Sequence, residues 1–283
     1  EIDRKKIDVL VIQFNYGFFN FRYFSEFLHT QLDSGRKIIL TFHATTDQPH
    51  VPQKKLVMLK DAFARCHRLI VHSPADMNRL KKIGLVDNVV LFPLGIKNYM
   101  GLDFVNQPET KQGSDTFTIG SYGFFLPHKG LIELIKATAQ LKKAGRKVAL
   151  KMVNAEYPIG ESARLITQAH SLVKESGLSE YVQIITDFLP DEQCFSELSC
   201  ADLVVYPYAN TAESASAAVR YGMSLGKPVA VTPISIFDDV RPAVFTLPGT
   251  SVDEITLGIG RLIDAIERKD ETVSSTMEVL SRW

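Results

Sequence analysis

The stretch "GSYGFFLPHKGLIELIKA", residues Gly120 to Ala137, decides how this chain is expected to fold. It continues an apolar run that is typical of a strand, and it then opens a helix-like pattern. A strand that leads through a short turn into a helix is the repeating unit of parallel α/β sheets. Ligands of such sheets bind beyond the carboxyl ends of the strands. The turn inside this stretch is therefore a first candidate for a functional site.

The same alternation of strand and helix patterns extends from this stretch in both directions. It predicts an α/β fold with parallel, doubly wound sheets. The predicted strands are Asp8–Phe14, Lys37–Phe42, Arg68–Val71, Val89–Phe92, Phe117–Ser121, Val148–Val153, Val182–Thr186, Leu203–Tyr206, Pro228–Val231 and Val244–Leu247. The predicted helices are Arg22–Leu32, Gln53–Cys66, Ala75–Ile83, Gly130–Lys143, Ser162–Ser176, Asp191–Cys200, Ser214–Leu225 and Asp253–Lys269.

The alternation is interrupted once, at "KNYMGLDFVNQPETKQGSD", where polar and turn residues dominate without a period. We interpret residues 97–115 as a linker between two Rossmann-like domains. Residues 1–96 then form a partial N-terminal domain, because they supply only about four strands. Residues 116–283 supply a complete C-terminal domain. The chain opens almost directly into a strand, so we expect it to be an excerpt of a longer polypeptide that has further domains.

Composition excludes several classes of protein. No apolar run reaches the roughly 18 residues that a membrane-spanning helix needs. The 32 basic and 32 acidic residues cancel, so the overall charge gives no reason to expect nucleic acid as a partner. The three cysteines, Cys66, Cys194 and Cys200, lack metal-site spacing and are predicted to be free thiols. Free thiols fit a reducing compartment, and we expect a cytoplasmic protein.

The first candidate for chemistry is Lys129, followed by Gly130, at the start of the helix in the opening stretch. Helix N-termini offer unpaired N–H groups and a positive dipole end, which together favour a phosphate. A lysine at that position opposes the dipole unless an anionic ligand lies between them. The alternative is an ordinary solvated lysine, and a Lys-Gly pair by itself favours that alternative.

The second candidate is "ESASAAVRYGMSLGKPVAV", residues Glu213 to Val231. A helix that begins with small side chains lets a phosphate approach its backbone. The residues that would present their N–H groups are Ser214, Ala215, Ser216 and Ala217. Glu213 precedes the helix and has a carboxylate that accepts two hydroxyls, as a sugar offers. The alternative, equally supported by this stretch alone, is an acid that complements the dipole beside alanines that pack on the sheet.

The third candidate is His43 in "TFHATTD", where a strand ends and a polar loop begins. A lone histidine is usually structural, and six others are present.

The sequence contains no Asp-x-Asp pair, Walker A, GxSxG or HExxH motif. A group of basic residues near one helix, Lys54, Lys55, Lys60, Arg65 and Arg68, is either a solvated face or a contact for an anionic membrane surface.

Taken in order along the chain, these stretches resemble the retaining glycosyltransferases of family 4, which have two Rossmann domains (GT-B). Gly123 and Lys129-Gly130 match the family's glycine and Lys-Gly. Glu213 matches its first glutamate, and "GMSLGKPVAV" aligns with the end of that motif. "LVVYPY" matches the strand before the motif, while "TFHATTD" and "VVLFPLGI" match two places in the first half. The resemblance covers nearly the whole chain, from Asp8 to about Ile266.

The resemblance implies transfer of a sugar from a UDP-sugar or GDP-sugar to a glycan or lipid-linked acceptor, with retention at the anomeric carbon. The implied catalytic residues are His43, Glu213 and Lys129. Lys129 and residues 214–217 would bind the donor diphosphate, so that no metal ion and no cofactor are expected. A peripheral contact with the inner face of the membrane is a further expectation.

Two residues depart from the family pattern. Phe124 stands where an arginine usually joins the lysine, and Tyr221 stands where a second glutamate holds the ribose. Arg220 is a candidate to replace the missing arginine. Phe188 and Leu189 are the expected neighbours of the base. These departures keep an alternative open: a non-catalytic glycosyltransferase-like module of a larger protein that binds a nucleotide or a partner.

Overall fold

The computed structural model describes residues 2–96 and 115–283. These residues form two compact units. The first holds the chain up to Leu94 together with Ala212–Ala215, and the second holds Gly95–Thr211 and Ser216–Trp283. The predicted linker, 97–115, falls outside the described residues except for Asp115. The predicted domain boundaries therefore stay a prediction.

The first unit contains one parallel sheet of four strands in the order β1-β2-β3-β4. Its elements are β1 (Val9–Phe14), α1 (Phe21–Asp33), β2 (Lys37–Phe42), α2 (Lys60–Arg65), β3 (Arg68–Val71), α3 (Pro74–Lys82) and β4 (Val89–Leu91). The helix predicted from Gln53 is shorter than expected. Leu56–Leu59 forms a 3-10 turn that buries Leu56 and Leu59, and α2 follows it.

The two faces of the first sheet differ. On one face, Phe14, Leu40 and Phe42 are fully buried in an aromatic core. On the other face of β1, Val9 and Val11 keep 46% and 62% of their surface exposed. Strands of parallel sheets are normally covered on both faces. The outer face of β1, the strand at one end of this sheet, is therefore largely uncovered.

The second unit contains one parallel sheet of six strands in the order β10-β9-β8-β5-β6-β7. Its elements are β5 (Phe117–Phe124), α4 (Leu131–Lys143), β6 (Val148–Ala155), α5 (Gly160–Glu175), β7 (Val182–Ile185), α6 (Asp191–Ser199), β8 (Leu203–Tyr206), α7 (Ala217–Ser224), β9 (Val229–Val231), β10 (Phe245–Thr246), α8 (Val252–Glu267) and α9 (Glu271–Leu280). Counted from β5, this is the Rossmann order 3-2-1-4-5-6. The predicted α/β fold with two Rossmann-like sheets is confirmed, and the first sheet is the smaller.

The second unit departs from the prediction most clearly in three places. The strand β5 extends to Phe124, because its whole length pairs with β6. The helix predicted from Ser214 begins at Ala217, since Ser216 is its N-cap and accepts a 3.2 Å hydrogen bond from the Val219 N–H. The helix α9 was not predicted. It buries only Leu280 and so lacks a strong apolar period.

In the part of the chain that the structure describes, every helix is too short or too polar to cross a lipid bilayer.

Candidate functional site

In the first unit, His43 directly follows β2, at the carboxyl edge of the sheet. Its backbone N–H donates to the Phe14 carbonyl at 3.0 Å. Its Nε2 lies 2.7 Å from Gln13 Oε1, so this nitrogen carries the proton and Nδ1 is the acceptor in the neutral ring. The His72 ring lies 5.5 Å away, measured between centroids. The ring of His43 is therefore oriented by the end of β1 and lies beside a second imidazole.

Burial and the neighbouring His72 lower the pKa of His43, whereas the Glu213 carboxylate acts in the opposite direction. The first two effects are the stronger ones, so the neutral imidazole is favoured. A neutral ring that donates through Nε2 keeps Nδ1 as a hydrogen-bond acceptor. The electrostatic influence of Glu213 also places that carboxylate near the ring.

The segment Ala212–Ala215 belongs to the first compact unit. The Ser214 N–H donates to the His43 carbonyl at 3.0 Å, and the Ser214 hydroxyl donates to Asp76 Oδ1 at 2.8 Å. These two bonds hold the residue after Glu213 against the His43 loop. The structure thus brings together two candidate residues that are distant in sequence, His43 and Glu213.

Asp76 was not among the residues predicted for the site. Its side chain is fully buried in the first turn of α3. It accepts hydrogen bonds from three hydroxyls and one guanidinium, donated by Thr45, Ser73 (2.5 Å), Ser214 (2.8 Å) and Arg79 (2.8 Å). Because Thr45 follows His43 by two residues, this carboxylate connects the His43 loop to the Ser214 segment.

In the second unit, Lys129 ends a short 3-10 turn (Pro127–Lys129) between β5 and α4. Gly130 follows with a φ of 65°, a left-handed conformation that favours glycine. A Cβ on Gly130 would lie 1.9 Å from the Pro207 carbonyl oxygen. The Ala209 N–H donates to the His128 carbonyl at 2.8 Å. The lysine turn therefore packs directly on the chain that leaves β8.

Lys129 is buried, with 8% of its surface exposed, and its Nζ lies 4.1 Å from the centroid of the Tyr208 ring. An ammonium over the face of an aromatic ring is a stabilising cation–π arrangement. The position agrees with the prediction that Lys129 lies at the carboxyl edge of β5. Its environment differs from the alternative of a solvated surface lysine.

Gly123 lies in β5 with a φ of 130°, and a Cβ there would lie 3.6 Å from the Ala218 Cβ. The first turn of α7 therefore lies against β5 at this glycine, whose positive φ favours the residue type. Two of the predicted diphosphate-binding residues, Ser216 and Ala217, are at the N-terminus of α7. The other two, Ser214 and Ala215, precede that helix, and the Ser214 N–H is donated to His43. The diphosphate role of these four residues stays a prediction.

Arg220 is buried inside the second unit rather than turned outward. Its Nη1 donates to the Ser216 carbonyl at 2.8 Å, and its Nη2 forms an ion pair with Asp239. The guanidinium thus links the N-cap residue of α7, Ser216, to Asp239. These contacts give Arg220 a structural role in the packing of α7. A role for Arg220 in nucleotide binding stays a prediction.

Tyr221 has a defined place in the packing of α7. Its ring stacks on Tyr122 with 4.0 Å between centroids, and it lies 4.5 Å from the Phe195 ring. Its hydroxyl donates to the Asp191 carbonyl at 2.6 Å. The residue at the position of the family's second glutamate therefore connects α7 to α6. Its role toward a ribose stays a prediction.

The two remaining nucleotide candidates follow β7. Phe188 is 80% exposed and lies parallel to Phe124, with 6.0 Å between ring centroids. Tyr157 meets Phe124 edge-on at 5.1 Å. Leu189 is partly buried against the smaller core cluster that includes Cys194. The phenylalanine at the arginine position is thus part of an aromatic group formed by residues that end or follow three adjacent strands.

Two of the basic residues near α2 have partners within the first unit. Lys54 Nζ donates to the Tyr16 carbonyl at 2.6 Å, and Arg65 forms a 2.6 Å ion pair with Asp33. Within residues 2–96 and 115–283, no group of three or more His, Cys, Asp or Glu side chains is arranged to hold a metal ion. All three cysteines are free thiols, as predicted, and Cys66 and Cys194 are buried.

No protein-family model matches this chain, and no curated protein matches it. Among solved structures, it is similar to sucrose-phosphate synthase from Thermosynechococcus elongatus, with a TM-score of 0.73, 17% identity, and coverage of 99% of this chain and 70% of that one. It is similar to Anabaena Alr3699/HepE in complex with UDP, with a TM-score of 0.74, 19% identity, and coverage of 96% and 74%.

A third similar structure is the UDP-forming α,α-trehalose-phosphate synthase from Burkholderia xenovorans in complex with glucose-6-phosphate. Its TM-score is 0.76 at 11% identity, and the match covers 97% of this chain and 69% of that one. At these identities the likeness concerns the fold. The chain therefore has the two-sheet Rossmann fold of the GT-B glycosyltransferases.

Proposed function

We propose that this chain transfers a sugar from a nucleotide diphosphate sugar to an acceptor, with retention of the anomeric configuration. In this reaction the bond between the anomeric carbon and the phosphate oxygen breaks, and its electrons leave with the nucleoside diphosphate. The acceptor oxygen bonds to the same face of the sugar, and its proton passes to the departing phosphate. The chemistry requires stabilisation of the charge on the leaving group.

The observation that carries the proposal is the pairing of His43 with the Glu213 segment in the first unit. The Ser214 N–H donates to the His43 carbonyl at 3.0 Å, so residues from two separate motif-like stretches lie together. Glu213 offers two carboxylate oxygens to sugar hydroxyls. The neutral His43 ring offers a hydrogen-bond acceptor, since its Nε2 proton is directed to Gln13.

Lys129 and α7 support the proposal from the second unit. The ammonium lies at the carboxyl edge of β5, where ligands of parallel sheets bind. The N-terminus of α7 is close to Gly123, and helix N-termini favour phosphate. A fixed cation and an oriented dipole are able to neutralise a leaving diphosphate without a metal ion. Metal-independent transfer with no cofactor is therefore part of the proposal.

The similar structures support a nucleotide donor. HepE was solved with UDP, and the trehalose-phosphate synthase is described as UDP-forming. We therefore expect UDP to be the first nucleotide to test, with GDP as the second. A glycan or lipid-linked acceptor at the inner membrane face, in a cytoplasmic protein, belongs to the same proposal.

Calorimetric titration of the chain with UDP, GDP and ADP tests the donor site. Lys129→Ala is expected to weaken UDP binding by roughly 10- to 100-fold, the effect of losing one charged hydrogen bond. The matched control is Lys136→Ala, an exposed lysine on α4, which is expected to bind as wild type. Equal binding by the Lys129 and Lys136 variants would remove Lys129 from the donor site.

A transfer assay with UDP-glucose and a panel of acceptors tests the reaction. Glu213→Gln is expected to abolish transfer while UDP still binds, and Glu161→Gln on the exposed side of α5 is the control. Proton NMR of the product's anomeric coupling distinguishes retention from inversion. Wild-type turnover by Glu213→Gln would contradict the assignment of Glu213. Absence of binding for all three nucleotides would favour a partner-binding module.

A further inference from the structure

We propose that Tyr208 is a positioning residue for Lys129, whose ammonium it holds through the face of its ring. The residue lies two positions after β8 and was seen in the sequence only as the end of an apolar strand. The consequence for donor binding rests on the proposed function. The placement of the ammonium itself does not.

The backbone around the two residues is fixed by direct contacts. Gly130 allows the lysine turn to lie against the Pro207 carbonyl, and the Ala209 N–H donates to the His128 carbonyl at 2.8 Å. These contacts flank Lys129 on one segment and Tyr208 on the other. The Thr232 hydroxyl donates to the Tyr208 carbonyl at 2.7 Å and holds the second segment.

The ring of Tyr208 is itself held by neighbouring aromatic rings. Phe237 lies 5.1 Å away and Tyr206 lies 6.0 Å away, measured between centroids. Tyr208 is almost completely buried. A ring packed in this way presents one fixed face, and Lys129 Nζ lies 4.1 Å from its centroid. Since the ammonium is largely removed from water, the ring face offsets part of its desolvation.

The ring, and not the hydroxyl, performs this role. The Tyr208 hydroxyl is buried and has no hydrogen-bond partner among the described residues. The hydroxyl oxygen points towards Gly123 and would lie 3.9 Å from a Cβ at that position. A buried hydroxyl without a partner costs stability. Phenylalanine is therefore expected to replace tyrosine here and still hold the Lys129 ammonium. A residue without a ring is not expected to hold it.

The first experiment detects the ring without using the activity. Lys129 Cε is bonded to the Nζ that lies over the Tyr208 ring, so its protons are expected to resonate upfield in a ¹H–¹³C spectrum of lysine-labelled protein. Tyr208→Leu is expected to return that signal to the ordinary lysine region, and Tyr208→Phe to keep it upfield. Lys142, whose Nζ lies 3.0 Å from the Tyr181 centroid, is an internal control that neither variant should shift. An unshifted Lys129 signal in the wild-type protein would overturn the proposal.

The second experiment is a double-mutant cycle read out by UDP titration. Tyr208→Leu is expected to weaken UDP binding by roughly 3- to 30-fold, while Tyr208→Phe stays close to wild type. In a Lys129→Met background, Tyr208→Leu is expected to have no further effect. Phe117→Leu removes a buried ring at the start of β5, at the other end of the strand from the lysine turn, and it is the control for loosened packing of the second unit. An equal loss with and without Lys129 would overturn the proposal.

One further variant guards against failure to fold. Tyr208→Met fills the space with a flexible side chain that has no ring. If Tyr208→Leu does not fold, Tyr208→Met takes its place in both experiments, with the same expected results. If none of UDP, GDP and ADP binds to the wild-type chain, the proposed function fails. The Lys129 resonance still decides whether the ring positions the ammonium, so the two failures are distinguishable.

Discussion

The two units fix their candidate side chains by different physical means. In the first unit, a buried carboxylate, Asp76, collects hydrogen bonds from Thr45, Ser73, Ser214 and Arg79. In the second unit, Lys129 is held in place by the close approach of two backbone segments at Gly130 and by the face of the Tyr208 ring.

The difference predicts how each unit responds to change. Hydrogen bonds to a buried carboxylate are directional, and the loss of one partner leaves polar groups unpaired. Close backbone approach and contacts between rings depend on shape. They therefore tolerate the loss of a polar atom, but they do not tolerate an additional atom where the space is already filled. The surroundings of Asp76 should therefore be sensitive to the loss of charge, and the surroundings of Gly130 and Tyr208 to a change in volume.

The largest effect is expected at Gly130, where the second unit has no space. Gly130→Ala places a Cβ 1.9 Å from the Pro207 oxygen at a φ of 65°. We expect a loss of roughly 3–5 kcal/mol in the free energy of unfolding, from strain and overpacking together. Gly177→Ala is the matched control, because its φ of 66° is the same and nothing lies within 4 Å. Urea unfolding of both variants measures the difference, and equal losses would contradict the packing argument.

The next effect tests the carboxylate of the first unit. Asp76→Ala is expected to cost about 2–4 kcal/mol in unfolding free energy, because four donors lose a buried acceptor. Asp61→Ala removes an exposed acid from the first turn of α2 and should cost less than about 0.5 kcal/mol. Thermal or urea unfolding compares the two. A small effect of Asp76→Ala would show that the hydroxyls find other partners.

A smaller effect tests the aromatic contacts of the second unit. Tyr221→Phe keeps the ring on Tyr122 and removes the 2.6 Å hydrogen bond to the Asp191 carbonyl. We expect a loss of about 1 kcal/mol. Tyr23→Phe, at a side chain that is 67% exposed, is the control. A loss above about 3 kcal/mol would mean that the hydroxyl, rather than the ring, anchors α7.

The smallest effect is the pH dependence of the first unit. The pKa of His43 is lowered in the folded state, so the unfolded chain binds this proton first as the pH falls. The contribution of His43 is therefore full above its unfolded pKa of about 6.5 and is lost as the pH falls toward its folded pKa. His43→Gln should flatten this part of the curve of urea midpoint against pH. The exposed His170→Gln is the control, and an unchanged curve for His43→Gln would contradict the assignment.

Much of the fold could be predicted because its strands are short apolar runs between polar turns. The bounds of β2, β3 and β8 match the predicted ones. The start of α7 could not be predicted, since a run of serine and alanine has no apolar period. Asp76 could not be predicted as part of the site, because most of the side chains that surround it come from distant parts of the sequence.

The candidate site divides in the same way. Spacing predicted that Lys129 ends up at the carboxyl edge of β5. It did not predict the ring beneath that lysine, because Tyr208 continues an apolar strand and looks like any core residue. Tyr221 departs from the family pattern, and a structure was needed to show that it joins α7 to α6. The roles of His43, Glu213 and Lys129 toward a substrate stay predictions.

The exposed face of β1 has a practical consequence for handling the protein. The strand ends the first sheet, and Val9 and Val11 leave it apolar. Edges of this kind recruit strands from other molecules. The formal net charge is zero at pH 7, so electrostatic repulsion between molecules is weakest at neutral pH. Concentrated solutions should therefore be more stable against aggregation at a pH well away from the isoelectric point of about 7.3.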